Sequence, residues 1–246
     1  MPLGLFSLAG ALALWALAAH LADDATVPTP LDVAAFMVRE AASGELFLHL
    51  GITLARVAAA FTLSMLIGTG VGLLMGQNRT ADRGLDPWLI LLINLPALVL
   101  IVLCYIWIGL TEAAAITAVA LNKIPNVVIT LREGARALDP GLSEMARVYR
   151  FSRARRVRDV ILPQLQPYLA AASRSGLALI WKIVLVVELI GRSNGVGFQI
   201  HLYFQFFDVT AILGYALAFV AVMLAIEYAL VQPLEKRVSR WRIRPA

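Results

Sequence analysis

Apolar residues run through this chain in long unbroken stretches, and not only at every third or fourth position. Six stretches of roughly 20 residues contain very few charged side chains. They cover residues 3–21, 52–75, 88–110, 113–131, 167–190 and 210–231. A helix needs about 20 consecutive apolar residues to cross a bilayer, where its backbone can be satisfied only internally. The pattern therefore predicts an all-α integral membrane protein with six transmembrane helices, forming one membrane domain over residues 1–246.

The first stretch also admits a second interpretation, as the apolar core of a cleaved secretory signal. It ends in "LAAHLA", whose small residues and two following aspartates are typical of a cleavage region. A secretory signal normally begins with basic residues, whereas no Lys or Arg precedes this stretch. We therefore expect the first stretch to be a retained membrane helix.

The segment between the first two stretches predicts a short helix outside the membrane. Two prolines, Pro28 and Pro30, mark a turn. Apolar residues then recur at helical spacing, at Leu31, Ala34, Ala35 and Val38. Such a face either lies along the membrane surface or packs against the rest of the outer side of the protein, and packing is the interpretation we favour.

Composition supports the membrane assignment. Hydrophobic residues make up 60% of the chain and charged residues 15%, and the mean hydropathy of +0.80 exceeds that of a soluble domain. The one cysteine, Cys104, lies inside the third stretch and has no second cysteine for a disulfide. His20, His49 and His201 show no metal-ligand spacing, so we expect no metal site.

Basic residues are concentrated in alternate connecting segments. Two lie between the second and third stretches, eight between the fourth and fifth and five after the sixth, which is 15 of the 21 Lys and Arg residues. They are Arg79, Arg83, Arg132, Arg136, Arg147, Arg150, Arg153, Arg155, Arg156, Arg158, Lys236, Arg237, Arg240, Arg242 and Arg244. Basic residues in short loops stay on the cytoplasmic side, so both termini are predicted to be cytoplasmic. This topology explains the net charge of +5 without a nucleic-acid partner.

Glycines and prolines inside the stretches predict how the helices pack and bend. Gly68, Gly72 and Gly76 are four residues apart, so they share one helix face that a neighbouring helix can approach closely. Pro96 and Pro125 each remove a backbone hydrogen bond inside a stretch, where each can kink a helix.

Polar residues at membrane depth are candidates for a translocation pathway, because an ionisable group there is costly unless it is paired or faces a wet cavity. They are Asn94, Asn122, Lys123, Lys182 and Glu188. Two lysines beside a central pathway favour an anionic solute. Alternatively, Lys123 or Lys182 pairs with Glu188 or reaches an interface, and the sequence leaves both interpretations open.

The loop over residues 132–166 is too long for a simple connection and too regular for a flexible linker. Within it, "EMARVYRFSRARRVRDVILP" covers residues 144–163. Glu144 and Ala146 open a predicted short helix, and Ser152 is a candidate N-cap for a second. The segment resembles the "EAA" loop of ABC importer permeases. Glu144, Met145 and Ala146 stand where that family has Glu-Ala-Ala, and Val160, Ile161, Leu162 and Pro163 stand at its terminal hydrophobic element.

One position of the segment departs from the family pattern. Arg150 stands where the family has a glycine that permits a sharp turn between two short helices. A non-glycine residue in the left-handed conformation costs roughly 1 kcal/mol, which leaves open whether this chain makes the same turn.

The resemblance implies that the loop docks into a groove of a separate ATPase subunit, where Glu144 contacts a basic residue. The positions that carry over are Glu144, Met145, Ala146, Tyr149, Arg150, Phe151, Leu162 and Pro163. The competing interpretation is that the arginines simply meet anionic lipid headgroups, at about 1 kcal/mol each. Lipid binding explains the charge but not the spacing of the motif, so we favour coupling to an ATPase.

The resemblance extends over residues 28–241 and is greatest to the nitrate/sulfonate/taurine branch of these permeases. Its landmarks are "PTP" at 28–30, "LARVAAAFTLSMLIGTGVGLLMG" at 54–76, "LDPWLILLINLPALVLIVLCYIWIGLTE" at 85–112 and "GVGFQI" at 195–200. It implies a bacterial inner-membrane permease of a type I ABC importer. Such a permease would work as a homodimer, surrounded by membrane lipids, with two ATPase subunits and a periplasmic solute-binding protein. ATP and Mg²⁺ would bind to the ATPase, and this chain would hold no cofactor and catalyse no reaction.

Sequence motifs bear on two other classes of protein, a secondary transporter and an intramembrane enzyme. No G-x-x-x-x-G-K-[ST] sequence occurs, so the chain does not bind ATP by that loop. An ion-coupled secondary transporter of small anions is the alternative, but neither an ion-coupling site nor two inverted repeats is recognisable. Neither H-E-x-x-H nor G-x-S-x-G occurs, which argues against an intramembrane enzyme.

Overall fold

The computed structural model describes residues 2–22, 24 and 26–233, which form helices joined by short connections. In chain order these are α1 (Pro2–Ala22), α2 (Pro30–Ser43), α3 (Glu45–Gln77), α4 (Arg79–Asn94), α5 (Ala97–Ile108), α6 (Glu112–Arg136), α7 (Pro140–Val148), α8 (Arg153–Arg156), α9 (Leu162–Gly191), α10 (Val196–Gln205) and α11 (Val209–Ile226). π-Helical turns follow α8, over Val157–Ile161, and α11, over Glu227–Val231. The predicted all-α class is confirmed. The basic residues predicted on the C-terminal segment, Lys236, Arg237, Arg240, Arg242 and Arg244, lie outside the described residues.

In the part of the chain that the structure describes, four helices are long and apolar enough to cross a bilayer. They are α3, α6, the continuous helix Arg153–Gly191 that contains α8 and α9, and Val209–Ala229, which contains α11. They coincide with the second, fourth, fifth and sixth predicted stretches. Helices α4 and α5 together form a fifth candidate, bent by 100°. At the first predicted stretch the chain forms α1, in which Ala9–Ala22 is an apolar helix shorter than a full span, so a membrane crossing there stays a prediction.

The bend in the third predicted stretch lies at Leu95 and Pro96. Leu95 has an extended backbone, with φ −71° and ψ 127°, as expected for a residue before proline. Pro96 has no N–H to continue the helical hydrogen bonds, and α5 begins directly after it. Pro125, by contrast, lies inside α6 without ending it. One of the two predicted prolines therefore divides its stretch into two helices.

Backbone contacts divide the chain into two compact units. One comprises the described residues of Met1–Ala55 and Leu185–Ile226, and the other those of Arg56–Val184 and Glu227–Ala246. In the first unit α2 packs against α11, where the rings of Phe36 and Tyr215 meet edge to face at 6.0 Å. The Tyr215 hydroxyl donates to Glu40 Oε2 at 2.7 Å, which fixes the two helices together.

Helix α2 forms as predicted but packs through a different face. Its start is fixed by a capping box between Thr29 and Asp32. Leu31 and Val38, which we expected on the packed face, are 81% and 68% exposed, whereas Val33 and Phe36 are buried. The predicted packing face is therefore wrong, because the helix has apolar residues on two sides and the spacing alone does not rank them.

In the second unit, glycines let α3 and α6 pack closely. A Cβ at Gly72 would lie 2.8 Å from Leu131 Cβ and 2.9 Å from the Val128 carbonyl oxygen. A Cβ at Gly68 would lie 2.6 Å from the side chain of Val127, and one at Gly76 would collide with Ala135. The three glycines thus share the face of α3 that meets α6, where any larger side chain would force the helices apart.

Candidate functional site

The segment that resembles the permease coupling loop forms α7, a tight turn and α8. Asp139 caps α7, since its Oδ1 accepts from Gly141 N at 2.7 Å, and Pro140 occupies the first helical position. Ser152 caps α8 as predicted, with its hydroxyl accepting a backbone hydrogen bond at 3.3 Å. Glu144 therefore lies in the middle of α7 and does not open it.

Arg150 makes the turn between α7 and α8 in the left-handed conformation, with a φ of 51°. Arg150 N donates to Arg147 O at 3.0 Å, and Phe151 N donates to Ala146 O at 2.9 Å. These two hydrogen bonds form the Schellman arrangement that ends many helices, usually with glycine at the left-handed position. The left-handed conformation costs a non-glycine residue roughly 1–2 kcal/mol. The chain therefore makes the glycine-type turn without a glycine.

The side chains of the motif differ in burial. Those of Glu144, Tyr149 and Arg150 are exposed, those of Met145 and Phe151 are half-buried, and that of Ala146 is buried. Beside the exposed face, the guanidinium of Arg155 lies over the Phe151 ring at 4.2 Å from its centroid. Glu144, Tyr149 and Arg150 thus place a carboxylate, a phenol and a guanidinium group at the surface of the segment.

Hydrogen bonds attach α7 to the start of the long helix α9. Asp139 N donates to Gln164 Oε1 at 2.8 Å, while Gln164 Nε2 donates to Val160 O at 2.8 Å. A buried apolar cluster also joins α6 to this part of α9, formed by Val127, Leu131, Ile161, Leu165 and Ala172. Helix α7 is therefore attached to α9, and α9 is attached through the cluster to α6.

The last residues of the motif follow a widened helical turn. Within Val157–Ile161 the helix is π-helical, and the Leu162 N–H donates to Val157 O. Pro163 has no N–H, and in a regular α-helix its ring would crowd the carbonyl of Asp159, four residues earlier. The wider turn leaves room for the ring, so the helix continues without a break. Leu162 is exposed and Pro163 is half-buried.

In the second unit, ion pairs join the start of α4 to the end of α6. Arg132 Nη1 lies 2.5 Å from Asp86 Oδ1 and 3.4 Å from Asp82 Oδ1. Arg136 Nη2 lies 2.5 Å from Asp82 Oδ2, and its Nη1 lies 2.9 Å from Glu133 Oε1. Sequence reasoning counted both arginines only as indicators of topology. The available signal was Asp82 and Asp86, one helical turn apart at the edge of an apolar stretch.

Among the described residues of this unit, the polar residues that we predicted along a pathway are not joined to one another by side-chain hydrogen bonds or ion pairs. Within residues 2–22, 24 and 26–233, no hydrogen bond or ion pair joins Asn94, Asn122, Lys123 and Lys182. Asn94 Nδ2 donates to the Ile90 carbonyl of its own helix at 2.7 Å. Asn122 is half-buried and Lys182 is exposed. Of the two lysines, only Lys123 is buried.

Lys123 lies in the middle of α6 and is only 2% exposed. Its ammonium group makes no hydrogen bond or ion pair within the part of the chain that the structure describes. Gly176 of α9 leaves room for it, since a Cβ there would lie 2.9 Å from Lys123 Cε. A cation at membrane depth is costly unless an anion or water compensates it, so its burial sets Lys123 apart from the exposed Lys182.

In the first unit, Glu188 is the centre of a buried hydrogen-bond network. Its Oε2 accepts from Thr53 Oγ1 at 3.0 Å and from Gly197 N at 2.9 Å. Val196 N in turn donates to Thr53 Oγ1 at 2.9 Å. Gly195 has a φ of 104°, and a side chain there would collide with the Glu188 carboxyl group. The backbone of Gly195, Val196 and Gly197, the first three residues of "GVGFQI", thus lies close to the buried Glu188 carboxylate.

His49 extends this network, and sequence reasoning missed it because it considered the histidines only as metal ligands. His49 Nδ1 accepts from Gly195 N at 3.0 Å, so this nitrogen carries no proton. Its Nε2 lies 2.6 Å from the Gln199 amide nitrogen, while Gln199 Oε1 has no hydrogen-bond partner among the described residues. Turning the amide over places Oε1 against Nε2–H, and Glu45 Oε2 lies 3.3 Å from the same nitrogen. His49 is then a neutral, structural histidine, and its spacing of four from Thr53 was the available signal.

A second ion pair missed by sequence reasoning joins α3 to the start of α6. Arg56 is buried, and its Nε and Nη2 donate to the two carboxylate oxygens of Glu112 at 2.8 and 2.6 Å. Such a bidentate pair fixes direction as well as distance. Arg56 is therefore a structural residue that joins the two helices.

Comparison with known proteins identifies relatives of the whole chain. Residues 46–239 match the family "Binding-protein-dependent transport system inner membrane component". The chain is 33% identical to "Putative aliphatic sulfonates transport permease protein SsuC" of Bacillus subtilis, over 97% of this chain and 87% of that protein. It is 28% identical to the taurine transport system permease protein TauC of Escherichia coli, over 80% and 71%. It is also 28% identical to the bicarbonate transport system permease protein CmpB of Synechococcus elongatus, over 67% and 60%.

Solved structures share the fold. The MetNI methionine ABC transporter in inward-facing conformations matches 81% of this chain and 98% of that chain, with a TM-score of 0.68 and 20% identity. An amino acid ABC transporter matches 82% and 98%, with a TM-score of 0.62 and 23% identity. Both likenesses agree with the family match. The chain therefore belongs to the inner-membrane components of binding-protein-dependent transport systems, as the multi-pass permease of an ABC importer whose ATPase is a separate subunit.

Proposed function

We propose that this permease imports a small anion of the sulfonate, taurine, nitrate or bicarbonate type, as a homodimer with two ATPase subunits and a periplasmic solute-binding protein. Relatives named for the transport of sulfonates, taurine and bicarbonate support the solute class, because each of these solutes bears an acidic group. The observation that carries the proposal is the 33% identity to the SsuC relative over 97% of this chain.

The proposed topology has six membrane spans, with α1 as the first and the bent pair α4–α5 as the third. Both termini are then cytoplasmic, in agreement with the concentration of basic residues in alternate segments. The α7–α8 segment also lies on the cytoplasmic side, where an ATPase subunit can reach it. We treat the chain as one permease domain, since its helices α3 and α9 each contribute to both compact units.

The α7–α8 segment supplies the joint with the ATPase. Glu144, Tyr149 and Arg150 are the exposed side chains that contact the ATPase groove. ATP and Mg²⁺ belong to the ATPase, and closure of that subunit on ATP draws the α7 helices of the two permeases together. The hydrogen bond between Asp139 and Gln164 passes this displacement to α9, which opens the permease outward. Hydrolysis then allows the return to the inward-open state.

The proposed solute pathway depends on Lys123 more than on the other polar residues. Lys123 is a buried cation with no acidic partner in the described part of the chain, so an anion can compensate its charge during passage. Asn94, Asn122 and Lys182 stay candidates for weaker contacts. Glu188, whose carboxylate already holds the backbone of 196–197, acts as a positioning residue.

Affinity purification of the tagged chain from its host in mild detergent tests the coupling joint. The wild type should retain an ATPase subunit, and Glu144→Arg should lose it, because the reversed charge repels the basic residue of the groove. Arg158→Glu is the matched control. It also reverses a charge within the same segment, but its side chain is 87% exposed and lies outside the family motif, so the ATPase should stay bound.

Three outcomes would contradict the proposal. Loss of the ATPase with both variants would show a general charge effect in place of a specific joint. Recovery of no ATPase even with the wild type would favour an ion-coupled secondary transporter. A complex with one copy of this chain and a different permease would disprove the homodimer.

A further inference from the structure

A cavity of about 750 Å³ lies where the end of α3, the start of α4, the end of α6 and the α7–α8 segment meet. Four arginines line it: Arg79, Arg83, Arg136 and Arg156. Its volume is in the range of sites that bind small ligands. The proposed transport cycle uses neither this cavity nor its arginines.

The charges of the lining are unbalanced. Among the described residues of the lining, Asp82 is the one acidic residue, which gives four positive charges against one negative and a net charge of +3. Asp82 is already shared by Arg136 and by Arg132 of α6. Arg79, Arg83 and Arg156 form no ion pair within the described part of the chain. Because arginine stays protonated at physiological pH, the cavity favours an anion.

The arginines, and not a helix end, select this anion. Helix α4 begins at Arg79, but Asn78 Oδ1 already accepts from Thr80 N at 2.9 Å and from Ala81 N at 3.2 Å. These N–H groups are therefore not available to a ligand. A guanidinium group presents a planar fork that matches two phosphate oxygens, and a phosphate has enough oxygens to engage more than one guanidinium. The lining thus fits a phosphate group.

Exposed apolar side chains lie on α3 and α4, a few residues along the chain from the cavity-lining residues, and they indicate where the phosphate comes from. Trp88 of α4 is 65% exposed, and Ile90 and Leu91 after it are also exposed. Leu74 is exposed on α3, close before the cavity-lining Gln77. Tryptophan prefers the membrane interface, which puts the arginines at the level of lipid headgroups and these apolar side chains against acyl chains. A free phosphate ion would gain nothing from this surface. We propose that the cavity binds the headgroup of an anionic phospholipid through Arg79, Arg83 and Arg156.

Binding of a short-chain phosphatidylglycerol to the purified full-length chain, followed by tryptophan fluorescence, tests this site. Wild type should bind it saturably, while phosphatidylcholine with the same chains should bind at least tenfold more weakly, because its headgroup has no net charge. The double substitution Arg79→Gln/Arg83→Gln should weaken binding about 25-fold, at about fivefold for each arginine. Neither side chain makes an ion pair within residues 2–22, 24 and 26–233, so the double substitution removes no ion pair from that part of the chain.

The control is Arg158→Gln, which removes an arginine from the same segment but outside the cavity and should change the affinity less than twofold. Equal binding of the two lipids would overturn the proposal, and so would unchanged binding by the double variant. Glycerol 1-phosphate that bound as tightly as the lipid would reassign the cavity to a soluble phosphate. Lipid binding needs no ATPase or solute, so its failure is distinguishable from failure of the transport proposal.

Discussion

The substitution Gly72→Ala tests the close packing of α3 against α6. The added Cβ would lie 2.8 Å from Leu131 Cβ, 2.9 Å from Val128 O and 3.1 Å from Arg132 N. Carbon atoms pack most favourably at about 3.5–4.0 Å, so the two helices would have to separate by roughly 0.7–1 Å at this point. Two of these three atoms belong to the backbone of α6, which cannot rotate away as a side chain can.

The expected size of the effect follows from two opposing contributions. Overpacking costs about 1–3 kcal/mol, while replacing glycine by alanine inside a helix gains about 1 kcal/mol. Gly70 is the matched control, because it lies on the same helix and a Cβ there meets nothing within 4 Å. Gly70→Ala gains the helix propensity only. Gly72→Ala should therefore be less stable than Gly70→Ala by about 1–3 kcal/mol.

The assay is reversible unfolding of both variants in mixed micelles of mild detergent and dodecyl sulfate, followed by circular dichroism. The difference between the two free energies of unfolding removes the shared propensity gain. Equal stabilities within about 0.5 kcal/mol would refute the reasoning, since they would mean that α6 does not lie against Gly72.

Three further substitutions have expected outcomes. Arg150→Gly should stabilise the purified chain by about 1 kcal/mol in thermal unfolding, because glycine adopts the left-handed conformation freely. Arg147→Gly, inside α7, should destabilise it by about the same amount. A change of the same sign in both variants would contradict the assigned turn. Thr53→Val should cost about 1–3 kcal/mol in the same assay, because Glu188 and a backbone N–H lose a buried partner, and a result near wild type would show that the network contributes little. Lys123→Met should reduce anion uptake into vesicles at least tenfold, whereas Lys182→Met should leave uptake within about twofold of wild type. If both variants kept the uptake rate and the solute preference of the wild type, neither lysine would belong to the pathway.

Much of the helical architecture was predictable because the bilayer constrains sequence directly. A crossing helix needs both length and apolar composition, and four of the six predicted stretches coincide with helices that have both. The 100° bend at Leu95 and Pro96 was not predictable in size, since an apolar run specifies how far a helix can reach but not its direction. The packing face of α2 failed for a related reason, because burial depends on which helix lies beside it.

In the candidate sites, too, local interactions could be predicted from the sequence, whereas interactions between distant residues could not. The α7–α8 segment could be located because its motif is contiguous and its caps, such as Ser152, are local. The ion pair between Arg132 and Asp86 joins residues 46 positions apart, and the hydrogen bond between Thr53 and Glu188 joins residues 135 positions apart. Spacing within one element carries no information about such partners, because they depend on which helices become neighbours.

The continuous helix Arg153–Gly191 has 39 residues, so at 1.5 Å per residue it is about 58 Å long. A bilayer with its headgroups is about 40–45 Å thick, and a helix of this length therefore extends beyond the membrane unless it is strongly tilted. A rotation of about 10° around its midpoint moves each end by about 5 Å, close to the pitch of one helical turn. As a rigid rod, the helix would therefore carry a displacement of the end attached to α7 to its opposite end, at equal size and in the opposite direction.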